Sequence, residues 1–439
     1  LSFFYNKSTQ KIISQIPTQE KITIYGDYDV DGVTATALLY SFLKENGLCV
    51  DYFIPDRFSD GYGLNVLTIN KLKKNGTKLL ITVDCGISSI GEVELANALG
   101  IDVIITDHHS LKEKLPNAFA VINPKREDSE YPFTMLAGVG VAFKLVLALS
   151  MKLGLNTKDT FDKYVELACL GTIADVVSLK GENRVIADRG IKSLSNCKNP
   201  GIKALLEICG ANNKKVDSTT VAFLLSPRIN AAGRMEDAKI AVDLLLSDSS
   251  DSAYLLAVKL DEINKKRQAK EQEIFRVAVD MIENDPQKDE KKIFVLACEG
   301  WHHGVIGIVA SRLVEMYYKP CILISYEGKK AKGSGRSVDG VNLFDALLSC
   351  EDILTQFGGH SQAAGLSLDI DSLDELSKRL NDFILKNHKG DFVKTLDIDC
   401  SVPTSFITLQ SAKQLEFLEP FGEGNEKPVF ALHQTKVLS

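Results

Sequence analysis

The chain has 439 residues, 45% of them hydrophobic and 25% charged, a globular balance on a length that predicts at least two cores. A net charge of −7 argues against non-specific coating of nucleic acid, although a local basic groove remains compatible with it. No apolar run reaches the roughly 18 residues a bilayer span requires, and no secretory leader is visible. Nine cysteines without a CxxC spacing argue against a disulfide framework and a thiolate zinc site and point to the reducing cytosol. The chain opens on Leu1, so the natural N-terminus is expected upstream.

From the start to about residue 200 the pattern alternates strand and helix. Short runs rich in Ile, Val and Thr, "ITIYG" (22–26), "LLITV" (79–83) and "DVIIT" (102–106), read as buried strands. Between them "VTATALLYSFLKENG" and "IGEVELANALG" carry helical periodicity and end in glycine. That rhythm predicts βαβ units and a parallel sheet covered on both faces. Residues 201–253 read as a helical middle segment. Residues 254–285 read as one long connector helix, polar nearly all round in "NKKRQAKEQE", as expected of a helix bridging domains through solvent. A second, smaller α/β unit spans 286–394, with strands at "IFVLAC", "CILISY" and "AGLSLDI" and a glycine-rich hairpin around "AKGSGRS". Residues 395–439, ending in the strand-like "ALHQTKVLS", read as the opening of a β-domain.

The acidic residues follow one grammar. Asp27, Asp29 and Asp31 come just after the first strand, Asp84 directly after the second and Asp107 directly after the third. Ligands of open parallel sheets bind outside the carboxyl ends of the strands, so one crevice can collect all of them. "TDHHS" adds His108 and His109 there, and "GTIADVV" supplies Asp175 from a helix-to-loop position. A lone DxD is more often a turn or helix cap than a ligand set. Four such elements in order favour a metal site instead. Carboxylates with imidazole and no thiolate suit Mn²⁺ or Mg²⁺, and the surplus of acidic groups suits two ions. Two ions about 4 Å apart serve in-line phosphoryl displacement.

"GDYDVDG", "VDCG", "TDHH" and "GTIADVV", in this order, resemble the motifs of the DHH phosphoesterase superfamily. "GSGRS" and "FGGHSQAAG" resemble the companion DHHA1 domain. "PDRFSDGYG", "SPRINAAGRMEDA", "WHHGVIGIVASRL" and "PFGEGNEKPVF" resemble, over nearly the whole chain, the RecJ branch of single-strand exonucleases. The resemblance implies a parallel-sheet DHH domain (1–200), joined through the connector to a DHHA1 domain (286–394) and followed by the start of an OB-fold (395–439). It implies 5′ to 3′ hydrolysis of single-stranded DNA to mononucleotides, in repair and recombination. On that basis Asp29 and Asp27 hold one cation, Asp31, His108 and Asp175 the other, and Asp84 bridges them. Asp27 can equally orient its neighbours. His109 contacts the scissile phosphate and Asp107 orients it. The partners implied are single-strand-binding protein and a RecQ-type helicase, for a cytoplasmic monomer with no membrane attachment.

An exonuclease must hold a strand end, and glycine-rich backbone with Ser and Arg suits a phosphate. Ser334, Arg336, Ser337 and His360 in the second unit are candidates, as are Arg57, Arg228 and Arg234, with interdomain ion pairs and caps as the alternative. Tyr62 can stack a base or pack beneath its loop. Lys265, Lys266, Arg267 and Lys270 can track a DNA backbone or simply face solvent. Trp301, with His302 and His303, is expected to be structural. Two other functions stay open: a small-substrate phosphoesterase for cyclic dinucleotides, very short RNA or pyrophosphate, which would not need the middle segment and connector, and a DNA-binding scaffold with a dead site, which the intact carboxylate set opposes.

Overall fold

Strand β1 (Lys21–Tyr25) is flanked by β2 (Val50–Phe53) on one side and β3 (Thr77–Val83) on the other, and β4 (Asp102–Thr106) and β5 (Ala120–Ile122) complete a parallel sheet of order β2-β1-β3-β4-β5. The computed structural model describes residues 3–57, 59–61, 63–111, 114–212, 214–433 and 435. Side-chain alternation sorts the apolar strand residues between two cores. Ile22, Ile24, Leu79, Ile81, Val83 and Ile104 pack with the helices Val30–Glu45, Gly138–Lys152 and Thr157–Ala174. Tyr25, Leu80, Val103, Ile105 and Val121 pack with Val66–Lys74 and Ile90–Ala98. Burial on both faces is why these strands read as continuous apolar runs. The very short β2 and β5 carry too little pattern to be seen in the sequence. The chain reverses its direction of travel across the sheet between β1 and β3, which puts the topological switch point at their carboxyl ends.

The middle segment is helical as expected, with Pro200–Ile208 capped by Asn199, then Ser226–Met235 and Lys239–Leu245. A π-turn at Val221–Leu225 leads into the second of these. The connector is one helix, Ser250–Glu283. Ala253, Ala257, Leu260 and Ile263 anchor its first half in the larger core, while Lys265, Lys266 and Lys270 are exposed.

Contacts divide the chain into two units, Leu1–Asn264 with Ile398–Ser439, and Lys265–Asp397. In the second, β6 (Phe294–Glu299) and β7 (Cys321–Glu327) are parallel, and β8 (Lys330–Arg336), β9 (Leu354–Gly359) and β10 (Ala363–Asp369) extend the sheet antiparallel in the order β6-β7-β8-β10-β9. The glycine-rich stretch at 331–336 is the return strand of the β7–β8 hairpin rather than its turn, which lies at Gly328 with φ 55°. A Cβ on Gly333 would come 2.9 Å from Leu366, so these glycines serve close packing within the sheet. Leu376, Leu380 and Ile384, spaced by one turn, seal the helix Leu373–Asn387 onto this core.

The C-terminal residues, expected as a separate β-domain, group with the first unit. They contain β11 (Cys400–Ser401) paired with β12 (Phe430–Ala431), and the helix Leu409–Leu415. Most of the strand-like tail expected after β12 lies outside the described residues.

Candidate metal centre

The acidic residues meet at the switch point. Asp27 and Asp29 follow β1, Asp84 follows β3 and Asp107 follows β4, while Asp175 terminates the helix Thr157–Ala174 as its C-cap. Donor atoms of Asp27, Asp29 and Asp84 lie within 4.8 Å of one another, as do those of Asp31, His108 and Asp175, and those of Asp84, His108 and His109. His108 Nε2 sits 3.2 Å from Asp84 Oδ1, 3.6 Å from Asp175 Oδ2 and 3.8 Å from Asp31 Oδ2. Asp84 therefore stands between two triads.

Local backbone explains how so many carboxylates are held. Asp29 is the N-cap of Val30–Glu45, accepting from the Gly32 N–H at 3.0 Å, so the cap reading and the cluster reading apply to one residue. Asp31, two residues on, accepts from the N–H groups of Gly138 at 2.6 Å and Val139 at 2.7 Å. Those donors are the open N-terminus of a helix whose own cap residue, Ala137, has no side-chain acceptor. Asp84 adopts φ 61°, a left-handed conformation that costs an ordinary residue about 1 to 3 kcal/mol and persists only where the surroundings impose it. A Cβ on Gly138 would lie 2.5 Å from Asp84 Oδ1, and one on Gly171 would lie 2.9 Å from Asp31 Oδ1. Gly171 opens the motif GTIADVV, whereas Gly138 and the Gly138–Val139 amides lie in no motif quoted above. The available signal was a helix beginning on glycine with no Ser, Thr, Asp or Asn before it.

Electrostatics follow from burial. Desolvation, with the neighbouring Asp29 charge, pushes the Asp31 carboxyl up to about 7, and desolvation with Asp31 pushes Asp175 up to about 9. Burial and like charge also raise Asp27 and Asp84 well above the usual carboxylate range. Burial, then His109, pulls His108 down to about 3, leaving a neutral imidazole with a lone pair to offer. Burial also opposes the Asp107 charge, yet the hydrogen bond and charge of His109 win and hold that carboxyl low. Asp107 Oδ1 meets His109 Nδ1 at 2.8 Å and accepts from the His108 and His109 amides, and its Oδ2 accepts from Ile87 N–H at 2.9 Å. Burial lowers His109, but Asp107 outweighs it and the net shift is upward.

Nε2 of His108, Oδ1 of Asp27 and Oδ2 of Asp175 are buried without a hydrogen-bond partner. Such orphans cost about 1 to 3 kcal/mol each when nothing satisfies them. Converging oxygens and one neutral imidazole nitrogen, with no thiolate among them, fit hard divalent cations.

Comparison with known proteins bears on what this cluster serves. The chain matches the DHH family N-terminal domain over residues 21–172, the DHHA1 domain over 290–386 and the RecJ OB domain over 398–439. It is 37% identical to the single-stranded-DNA-specific exonuclease RecJ of Salmonella typhimurium, covering 93% of this chain and 74% of that protein. The chain belongs to the RecJ family. Against RecJ of Bacillus subtilis the identity is 42% over 96% of this chain, which spans only 53% of that longer relative. The crystal structure of Thermus thermophilus RecJ in complex with Mn²⁺ superposes with a TM-score of 0.86 at 32% identity, over 98% of this chain and 62% of that one.

The nucleic-acid candidates of this RecJ-family chain divide. Arg57 stacks over the Tyr28 ring at 4.9 Å. Burial and the Asp27 charge raise the Tyr28 hydroxyl to about 12 while Arg57 and Arg234 pull the other way, so both cations lie within electrostatic reach of the cluster's edge. The helix carrying Arg234 is docked there by Asn230, which accepts from Val30 N–H at 3.2 Å, and by Gly233, where a Cβ would meet Tyr28 O at 2.4 Å. Arg228 turns away. Its guanidinium pairs with Asp261 at 2.8 Å, within the same unit, and donates to Leu224 O at 2.7 Å. Tyr62 lies outside the described residues.

In the second unit Arg336 donates to Ser334 Oγ at 3.2 Å, beside Gly307 of the helix His303–Tyr317, where a Cβ would lie 2.9 Å from that hydroxyl. Ser337 is buried and donates to Val341 O at 2.8 Å, which gives it a structural place in the loop after β8. His360 forms the tight β9–β10 turn, its N–H bonded to Ala363 O at 2.8 Å. Trp301 is buried, and His302 caps the following helix through Nδ1. Arg267 is half-buried and pairs with Glu271, whereas Lys270 stays exposed beside Glu273.

Proposed function

We propose that this chain is the nuclease part of a divalent-metal-dependent exonuclease that degrades single-stranded DNA from the 5′ end to mononucleotides, in the cytoplasm, as a monomer. The observation that carries the reading is His108 Nε2, buried without a hydrogen-bond partner and ringed by Asp84, Asp175 and Asp31 at 3.2 to 3.8 Å. In this reading Asp27 and Asp29 hold one cation, Asp31, His108 and Asp175 the other, and Asp84 both. Bound there, Mn²⁺ or Mg²⁺ would supply an acidified water and positive charge against the phosphodiester oxygens.

The protein's own groups orient the reactants. His109, its Nδ1 held by Asp107, keeps its side chain 41% exposed and would donate from Nε2 to a phosphate oxygen of the strand. Asp31 stays fixed by two backbone N–H groups, and Asp84 by its imposed backbone conformation. Arg57 and Arg234 near the cluster, with Ser334, Arg336 and His360 of the second unit and Tyr62 by sequence, form the proposed strand-binding set. The domain reading is a DHH domain to about residue 200, the middle segment and connector, a DHHA1 domain to 394 and OB-like residues from 395. Single-strand-binding protein and a RecQ-type helicase are the proposed partners.

The test is product analysis with Mn²⁺ on a 5′-labelled single strand, with blunt duplex and dinucleotides as controls. Mononucleotides released from the single strand alone support the reading. Preferential turnover of dinucleotides overturns it in favour of a small-substrate phosphodiesterase.

A further inference from the structure

The loop after Asp175 is clamped by the C-terminal segment. Leu179 N–H donates to Glu423 O at 2.7 Å. A Cβ on Gly424, whose φ is 68°, would lie 2.3 Å from Ser178 Oγ, and one on Gly422 would lie 2.6 Å from Leu179 Cδ1. Arg184, in the helix Gly181–Leu194 that this loop enters, donates to Leu418 O and Glu419 O at 2.9 Å each. Asn425 braces the segment from within, donating to Leu418 O at 2.9 Å and Pro420 O at 2.8 Å.

Between the clamp and Asp175 stands Val176, at φ 58°. A β-branched residue in the left-handed region is a steric outlier that only its surroundings can sustain. Val176 is 65% exposed, so packing of its own side chain does not sustain it. The constraint comes from its neighbours: the helix end on one side and the pinned residues Ser178 and Leu179 on the other.

We propose that the segment Leu418–Asn425, gripped by Arg184, is a positioning element for Asp175, and that it sets the affinity of the Asp31–His108–Asp175 site for its divalent cation. This rests on the metal reading above. Residues that orient a metal ligand from outside the coordination sphere typically change affinity about 10- to 100-fold when lost. The C-terminal segment would then tune the nuclease centre without touching it.

The experiment is calorimetric Mn²⁺ titration of the intact protein, with thermal melting and the Mn²⁺ and DNA dependence of hydrolysis, for wild type, Arg184→Ala, Arg184→Lys, Gly424→Ala and Asp175→Asn. Arg184→Ala and Gly424→Ala are expected to weaken one Mn²⁺ site about tenfold or more. They should raise the Mn²⁺ concentration for half-maximal rate, leave KM for DNA unchanged and recover most of kcat at saturating Mn²⁺. Arg184→Lys, which keeps a cationic donor on a shorter and more flexible stem, falls between. Wild-type Mn²⁺ affinity in folded Arg184→Ala or Gly424→Ala overturns the inference, whatever happens to melting. Should Arg184→Ala not fold, Gly424→Ala decides alone. Unchanged Mn²⁺ affinity in Asp175→Asn overturns the metal reading itself.

Discussion

Asp31 accepts the Gly138 N–H at 2.6 Å across 107 residues of sequence, and thereby fastens the start of one helix to the start of another beneath the metal centre. The same Gly138 leaves room for Asp84, whose carboxylate fills the place a side chain would take. One glycine thus serves two carboxylates, through its N–H and through its missing Cβ.

Gly138→Ala is therefore expected to force Asp84 or the helix aside, at a cost of about 1 to 3 kcal/mol from overpacking. Mn²⁺ affinity should fall with it. Chemical denaturation and Mn²⁺ titration check this, and a variant matching wild type in both would refute the packing account.

Asp84→Ala removes the carboxylate common to the Asp27–Asp29–Asp84 and Asp84–His108–His109 groups. Mn²⁺-dependent hydrolysis should fall to background while single-stranded DNA is still bound. Fluorescence anisotropy alongside the nuclease assay separates the two, and wild-type activity would rule out the shared-ligand role.

Asp107→Asn takes away the partner that raises the imidazole of His109 and fixes its tautomer. The expected loss in kcat is about a hundredfold, typical of ligand-orienting partners. The alkaline limb of the pH–rate profile should move to lower pH, because His109 loses its proton more readily without Asp107. A profile unmoved on that side would show that His109 is not the donor.

Without metal the raised carboxyls destabilise the fold as pH increases. Asp31 and Asp175 ionise at about 7 and about 9 in the folded chain against an ordinary 3.8. The folded state thus binds more protons than the unfolded state between those values, and stability falls as pH rises through that window. Melting scans from about pH 5 to about pH 9 should show a falling Tm in chelator and a much flatter curve with Mn²⁺. A Tm that climbs with pH in chelator would contradict the buried-carboxylate electrostatics.

Arg228→Ala removes the hydrogen-bonded cation from the buried Asp261 carboxylate, a bond to a charged group worth about 1.5 to 3 kcal/mol. Arg234→Ala should instead raise KM for DNA. Equal effects of the two on DNA affinity would return Arg228 to the strand-binding set.

The carboxylates after β1, β3 and β4 were legible because buried parallel strands announce themselves as Ile, Val and Thr runs and open sheets place ligands at their ends. The placement of Asp175 was not legible, since a helix C-terminus carries no address for the sheet it will face. The need for glycine at Gly138 and Gly171 was not legible because it comes from chain segments distant in sequence. Ser337 and Arg228 carry internal contacts that the motifs do not announce. Their motifs look built for phosphate, but Val341 O and Asp261 claim them once the chain is folded.

The span of the metal cluster also bears on the chain's own synthesis. Its donors begin at Asp27 and are complete only at Asp175, and the clamp on the last of them lies beyond residue 417. No shorter amino-terminal piece contains the whole set. A chain emerging from the ribosome therefore cannot gather the donors of this cluster until Asp175 has been made, which leaves the centre incomplete while the amino-terminal part of the polypeptide is still growing.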